Sequence, residues 1–134
     1  IGHSSQQQWS RATPAVFKSA DIAGLTNVDK PTLVTQWGCW NTYFVDPGGN
    51  SMGDEFLVGG ENGAVTVLGA STLTTSAGER ILGIELNKLM YNQGMTVGEA
   101  VIGAKQALAL HDPDATDIQL GWQILGDPAL KVNP

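Results

Sequence analysis

The sequence predicts an α/β protein with a mainly parallel sheet. Short β-prone runs at 32–37 and 64–68 alternate with longer stretches whose apolar residues recur every three or four positions. Each run gives way to glycine, Gly38 and Gly69, which places the side chains around them at the mouth of a sheet. In open sheets of this kind ligands bind beyond the carboxyl ends of the strands. At 134 residues the chain has the length of one domain and can bury a real core.

In chain order, Ile1-Gly2 reads as the end of a strand, with His3 immediately after it. Chains seldom begin on the final residue of an element, so residues 1–134 are expected to be the C-terminal portion of a single larger domain. Residues 4–30 read as polar and irregular, with Gln6-Gln7-Gln8, Pro14 and Gly24, a short turn of structure at 13–17 and a connector at 25–31. The run 32–37 is short and largely apolar, as a buried parallel strand should be. Asp46-Pro47-Gly48-Gly49-Asn50 is a turn cluster, and 51–58 is expected to be helical with Met52, Phe56 and Leu57 as its apolar positions. A second buried strand at 64–68 closes at Gly69.

Ser76-Ala77-Gly78-Glu79 matches the capping-box pattern and predicts a helix to about Tyr91, with Leu82, Leu86, Leu89 and Met90 on one face. Thr96-Val97-Gly98-Glu99 is a second capping box. It predicts a helix to about Leu110 with a stripe of Val97, Ala100, Val101, Ala104 and Leu108, ended by His111-Asp112-Pro113-Asp114. An apolar stretch at 118–125, a Gly126-Asp127-Pro128 turn and a short strand at 129–132 complete the chain.

Hydrophobic residues make up 42% of the chain and charged ones 15%, a globular composition. Net charge is −6 with no Lys/Arg run to neutralise phosphates, which argues against nucleic acid as a partner. No stretch approaches the ~18 apolar residues of a membrane span, and no signal peptide is visible. One cysteine excludes an internal disulfide.

That cysteine, Cys39 in Trp37-Gly38-Cys39-Trp40-Asn41, and His3 each lie at a strand end, as does Ser71. A lone cysteine is most often a small buried hydrophobe. Here Gly38 permits a sharp turn, Trp37 and Trp40 supply an apolar rim, and an imidazole occupies the matching end of another strand. A thiol and an imidazole so placed suit thiolate attack on a carbonyl, with the imidazole later protonating a departing amine. His111 sits in a polar loop and reads as solvated. With two histidines and one cysteine far apart, no zinc set can be assembled. The acidic region Asp46, Asp54 and Glu55 could hold structural calcium, but its spacing is not that of an EF-hand and a solvated turn is favoured. Gly59-Gly60 lacks the Lys-Ser/Thr of a phosphate loop. Trp9 and Trp122 read as packing.

Gly2-His3-Ser4-Ser5 with Trp9 resembles the Gly-His-Gly-Ser…Trp stretch of gingipain-type cysteine peptidases, family C25 of the caspase-like clan. Trp37-Gly38-Cys39-Trp40-Asn41 is similar to the stretch around their nucleophile. Residues 61–71, Gly98-Glu99-Ala100 with Ala104-Lys105, and Leu125-Gly126-Asp127-Pro128-Ala129-Leu130 resemble the later strand, closing helix and final strand, in the same order. The resemblance implies a caspase-like three-layer fold whose N-terminal strands precede this chain. It also implies a cysteine endopeptidase with Cys39 as nucleophile and His3 as general acid/base. The backbone N–H groups of Ser4 and Cys39 would form the oxyanion hole. Trp37, Trp40, Ser71, Thr72, Leu73 and Thr74 would bind substrate, a peptide or protein. No cofactor is required on this reading, the missing N-terminal half of the domain is a partner, and the setting is extracellular or the bacterial cell surface. Ser4 stands where the family usually has glycine, so a positive φ there would strain the hole. The alternative is a silent or partner-activated caspase-like module of CHAT type that acts as a protein-binding scaffold.

Overall fold

Residues 4–30, read as irregular, contain a small antiparallel sheet of β1 (Ser4–Ser5), β2 (Gln8–Trp9) and β3 (Phe17–Lys18), in that order. The computed structural model describes residues 2–10, 14–30, 32–59 and 62–132. The expectations for Ile1, Thr13, Pro31, Gly60, Glu61 and the two C-terminal residues lie outside them. Sequence patterning misses the small sheet because its strands are two residues long and mostly polar, too short to show a period. What holds it is aromatic packing on one side: Trp9 lies 4.9 Å from Phe17, and Phe17 6.0 Å from Phe56, between ring centroids.

The main sheet is mixed. Strand β4 (Leu33–Thr35) pairs in parallel with β5 (Thr66–Ala70), and β6 (Trp122–Gly126) pairs antiparallel with β5, which is therefore central. The parallel pair is the one that carries Cys39 beyond its carboxyl end. Gly69, expected to close its strand, lies inside β5. The strand runs on because Ala70 N–H finds an acceptor in the Asn41 side chain, 3.1 Å away. The strand expected at 129–132 reduces to one bridge, Thr96 to Lys131.

Alternation along β5 creates three layers. Leu68 and Ala70 face a core built with α2 (Ser76–Asn87) and α3 (Val97–His111). Val67 faces Met52 and Phe56 of α1 (Met52–Val58) together with Ile22. The last helix, α4 (Thr116–Gly121), buries Ile118 in the first of these cores and leads directly into β6.

The capping residues explain where the helices begin. Ser51 and Asp54 form a reciprocal box at α1, and Thr96 and Glu99 another at α3, as read from the sequence. At α2 the cap is Thr75 rather than Ser76. Glu79 therefore falls one position too far along to close a box, and its carboxylate accepts from Thr74 instead. The α2 stripe is as expected, but after Asn87 the helix continues as a single π turn (Lys88–Asn92). The predicted α3 stripe is wholly buried. Leu82, 1% exposed, packs in the α2–α3 core, so Leu82→Ala is expected to cost about 2–5 kcal/mol, read as a lower urea midpoint at unchanged m.

Candidate active site

Two short segments meet at the top of β4. Gly2 N–H donates to Trp37 O at 3.2 Å, and Ser4 Oγ donates to Cys39 O at 2.6 Å. His3 lies between these two anchors and is exposed. His3 lines a cleft of about 330 Å³ with Trp9, Val16, Gln36 and Trp37. Cys39 is half-buried and not among the residues that line this cleft. No hydrogen bond among the described residues joins imidazole to sulfur. Such bonds in unliganded sites are often long and tighten on substrate binding.

Ladder geometry orients the Ser4 N–H. Ser10 N–H donates to His3 O, which makes Ser4–Trp9 a non-hydrogen-bonded pair of the β1–β2 ladder. The N–H of Ser4 therefore points away from β2, to the side on which Gly2 N–H reaches Trp37. Ser4 is in a strand and is not among the described residues with positive φ, so the strain anticipated for a serine in place of glycine does not arise. Its hydroxyl is instead structural, accepting from Asn41 Nδ2 at 3.2 Å while donating to Cys39 O.

The turn that the sequence assigns to Gly38 is made elsewhere. The left-handed residue is Trp40, with φ 64°, a strained conformation for a bulky side chain, costing about 1–3 kcal/mol. Trp40 N–H donates to Thr72 O at 3.0 Å and its ring packs edge-on against Tyr43, which holds it there. Gly38 is needed for space, because a Cβ would stand 2.9 Å from Gly2 O and collide with the Ser4 hydroxyl.

The sequence assigns Asn41 no role. It is fully buried. Nδ2 donates to Gly38 O at 2.9 Å and reaches Ser4 Oγ and Gln36 O, while Oδ1 accepts from Ala70 N–H. One amide thus ties the Cys39 turn to β1, β4 and β5. The available signal was a polar side chain placed between two strand ends.

Of residues 71–74, Thr74 is the one that reaches the sulfur. Thr74 N–H donates to Cys39 Sγ at 3.4 Å, and Thr74 Oγ1 lies 3.6 Å from it. Ser71 Oγ donates to Gly121 O at 2.9 Å and Thr72 Oγ1 to Asp117 O at 3.2 Å, so these two hydroxyls hold the loop onto α4. Leu73 is 57% exposed. Trp37 packs on Trp122 at 4.5 Å and walls a second cleft of about 360 Å³ with Glu79, Arg80, Gly83, Ile84 and Asn87.

The acidic region considered for calcium uses its carboxylates internally. Asp46 accepts from Gly48 N–H and Gln6 Nε2, Asp54 caps α1, and Glu55 accepts from Asn50. Among the described residues no cluster of His, Cys, Asp and Glu is arranged to hold a metal ion. No described helix is long and apolar enough to cross a membrane.

The family model for Peptidase family C25 matches residues 1–133. Among solved structures, the Arg-specific cysteine proteinase gingipain R (RGPB) superposes with a TM-score of 0.84 at 19% identity, over 98% of this chain and 32% of that one. A complex of Porphyromonas gingivalis RgpB pro- and mature domains gives 0.83 at 20% identity, again over 98% and 32%. A third structure, described only as a protease, gives 0.81 at 18% identity, over 98% of this chain and 34% of that chain. At such identities the likeness is one of fold, and it confirms the expected caspase-like α/β architecture. The chain spans about a third of the length of these structures. No curated protein matches it.

Proposed function

The chain belongs to peptidase family C25, and from that premise we propose that it carries the nucleophile and general acid/base of a cysteine endopeptidase. The observation that bears most weight is the pair of anchors either side of His3, Gly2 N–H to Trp37 O and Ser4 Oγ to Cys39 O. They hold the residues on both sides of His3 against the segment that carries Cys39, which supports pairing imidazole with thiol.

In the proposed cycle the Cys39 proton passes to the His3 imidazole, and Sγ adds to the scissile carbonyl carbon. The oxyanion that forms would accept from the N–H groups of Ser4 and Cys39, the first of which is turned away from its own ladder. Collapse breaks the C–N bond, and the imidazolium gives its proton to the departing amine. Water then adds to the thioester with His3 as base, releasing a carboxylic acid and restoring the thiol.

Trp37, Trp40 and residues 71–74 are the proposed substrate contacts, with Trp40 and the exposed Leu73 as apolar surface and the backbone of 71–74 held by α4. The same reading makes residues 1–134 part of a larger catalytic domain, with an N-terminal half as partner, a peptide or protein as substrate and an extracellular or cell-surface setting. Coverage of only 32–34% of the solved structures supports the first of these.

Treating the intact protein with a panel of peptidyl chloromethyl and acyloxymethyl ketones tests the function. The expected result is a covalent mass gain at Cys39 that His3→Ala abolishes. Labelling that survives His3→Ala, or no labelling by any member, would replace this reading with the scaffold; labelling only with a partner present would favour the partner-activated form.

A further inference from the structure

Strand β4 has a second edge, opposite β5. Its even-numbered residues are the ones bonded to β5: Gln36 N–H donates to Leu68 O at 2.8 Å, and Thr32 O accepts from Val65 N–H at 3.0 Å. In a strand the backbone groups of alternate residues point to opposite edges, so those of Leu33, Thr35 and Trp37 turn away from β5. On that far edge Trp37 O accepts from Gly2 N–H at 3.2 Å. Two residues further along both segments, Ser4 Oγ donates to Cys39 O at 2.6 Å. The two segments therefore run in the same direction.

We propose that in the intact protein the chain leading into Gly2 is a strand paired in parallel with β4, the Gly2–Trp37 bond being its last rung. The inference rests on the reading of residues 1–134 as part of a larger catalytic domain. Its register follows from that rung. The residue immediately before Ile1 accepts from Trp37 N–H and donates to Thr35 O. The residue two places further back accepts from Thr35 N–H and donates to Leu33 O. Such a strand fixes the backbone from which His3 emerges, level with the Cys39 turn.

The surface beside this edge fits a covering segment. On the α1 side lies an apolar cleft of about 550 Å³, lined by Trp9, Phe17, Leu25, Val34 and Phe56 among others. Gln36 is 1% exposed and accepts from Trp9 Nε1 at 3.0 Å, yet its Nε2 has no partner among the described residues. Buried donors are normally paired, and an acceptor on the added chain would satisfy this one. Coverage of only 32–34% of the solved structures gives such a segment ample chain to come from. A second copy is the poorer occupant. It would meet the Gly2 segment already seated at the top of the edge and would bring a like net charge of −6.

The test is residue-resolved amide exchange on the intact protein, whose mass reports separately whether chain precedes Ile1. The amides of Leu33, Thr35 and Trp37 are expected to exchange within about tenfold of that of Leu68 in the central strand. Faster exchange, or protection that falls on dilution as a second copy would give, overturns the proposal. Thr35→Pro is the second measurement, because it removes a donor that β5 does not use. Thr35→Ala keeps that N–H and equally loses the acceptor of Trp37 Nε1, so it is the control. Proline is tolerated on a free edge and not between two strands, so Thr35→Pro should have the lower urea midpoint, with unfolding favoured by about 10²-fold. Equal midpoints would show a free edge and overturn the proposal. A mass that leaves no residue before Ile1 overturns the larger-domain reading as well; unprotected amides in a longer protein overturn this inference alone. Neither readout requires peptide cleavage, so both are separable from the ketone-labelling test of function.

Discussion

Replacing Cys39 by alanine in the intact protein is expected to lower peptide hydrolysis by at least about 10⁴-fold, and His3→Ala by a comparable factor. On the proposed mechanism the two groups act on one proton and one bond. Without the thiol the imidazole has no nucleophile to activate, and without the imidazole the thiol has neither base nor a donor for the leaving amine. The double variant should consequently be no slower than the worse single one. Additive losses would mean that the two side chains act independently and would remove the basis for pairing them. Neither change should unfold the protein. His3 is exposed and Cys39 is half-buried against a polar neighbour, so urea midpoints near wild type are expected alongside the lost activity. What supports pairing them is that Gly2 and Ser4, on either side of His3, are bonded to the segment that ends in Cys39.

What the sequence disclosed follows the length of its signals. The stripes of Leu82, Leu86 and Met90 and of Val97, Ala100, Ala104 and Leu108 repeat over several turns, and all are buried. The boxes at Ser51–Asp54 and Thr96–Glu99 were legible because hydroxyl and carboxylate sit three residues apart. The same grammar misplaced the start of α2 by one residue, since Thr75 and Ser76 are both competent caps and only tertiary demand on Glu79 decides between them. The two-residue strands of the N-terminal sheet carry no period at all. At the candidate site the chemical residue types were visible, but their supports were not. Asn41 and Thr74 reach their partners across 29 to 37 positions and Glu79 is buried, so local pattern does not assign them these contacts.

Asn41→Ala is expected to be the most destabilising single change near the site. It leaves Ala70 N–H without its acceptor and removes the donor to Gly38 O and Ser4 Oγ, all in a position with no exposure. At about 1–3 kcal/mol for a buried polar group left unsatisfied, a loss of roughly 3–5 kcal/mol follows. Asn41→Asp keeps the shape and is expected to be at least as damaging. A carboxylate can still accept from Ala70, but its other oxygen then faces the carbonyls of Gly38 and Gln36 with no proton between them. Space gives a second handle on the same contact. A Cβ at Gly69 would meet the Asn41 carboxamide and stand 2.7 Å from Thr42 Cγ2, so Gly69→Ala should also destabilise. Removing the Asn41 side chain vacates part of that space. Gly69→Ala should therefore cost less in the Asn41→Ala background, with a coupling of about 0.5–3 kcal/mol by a double-mutant cycle in urea. Strict additivity would show that Asn41 does not press on β5 and that the Cys39 turn is held by its other bonds.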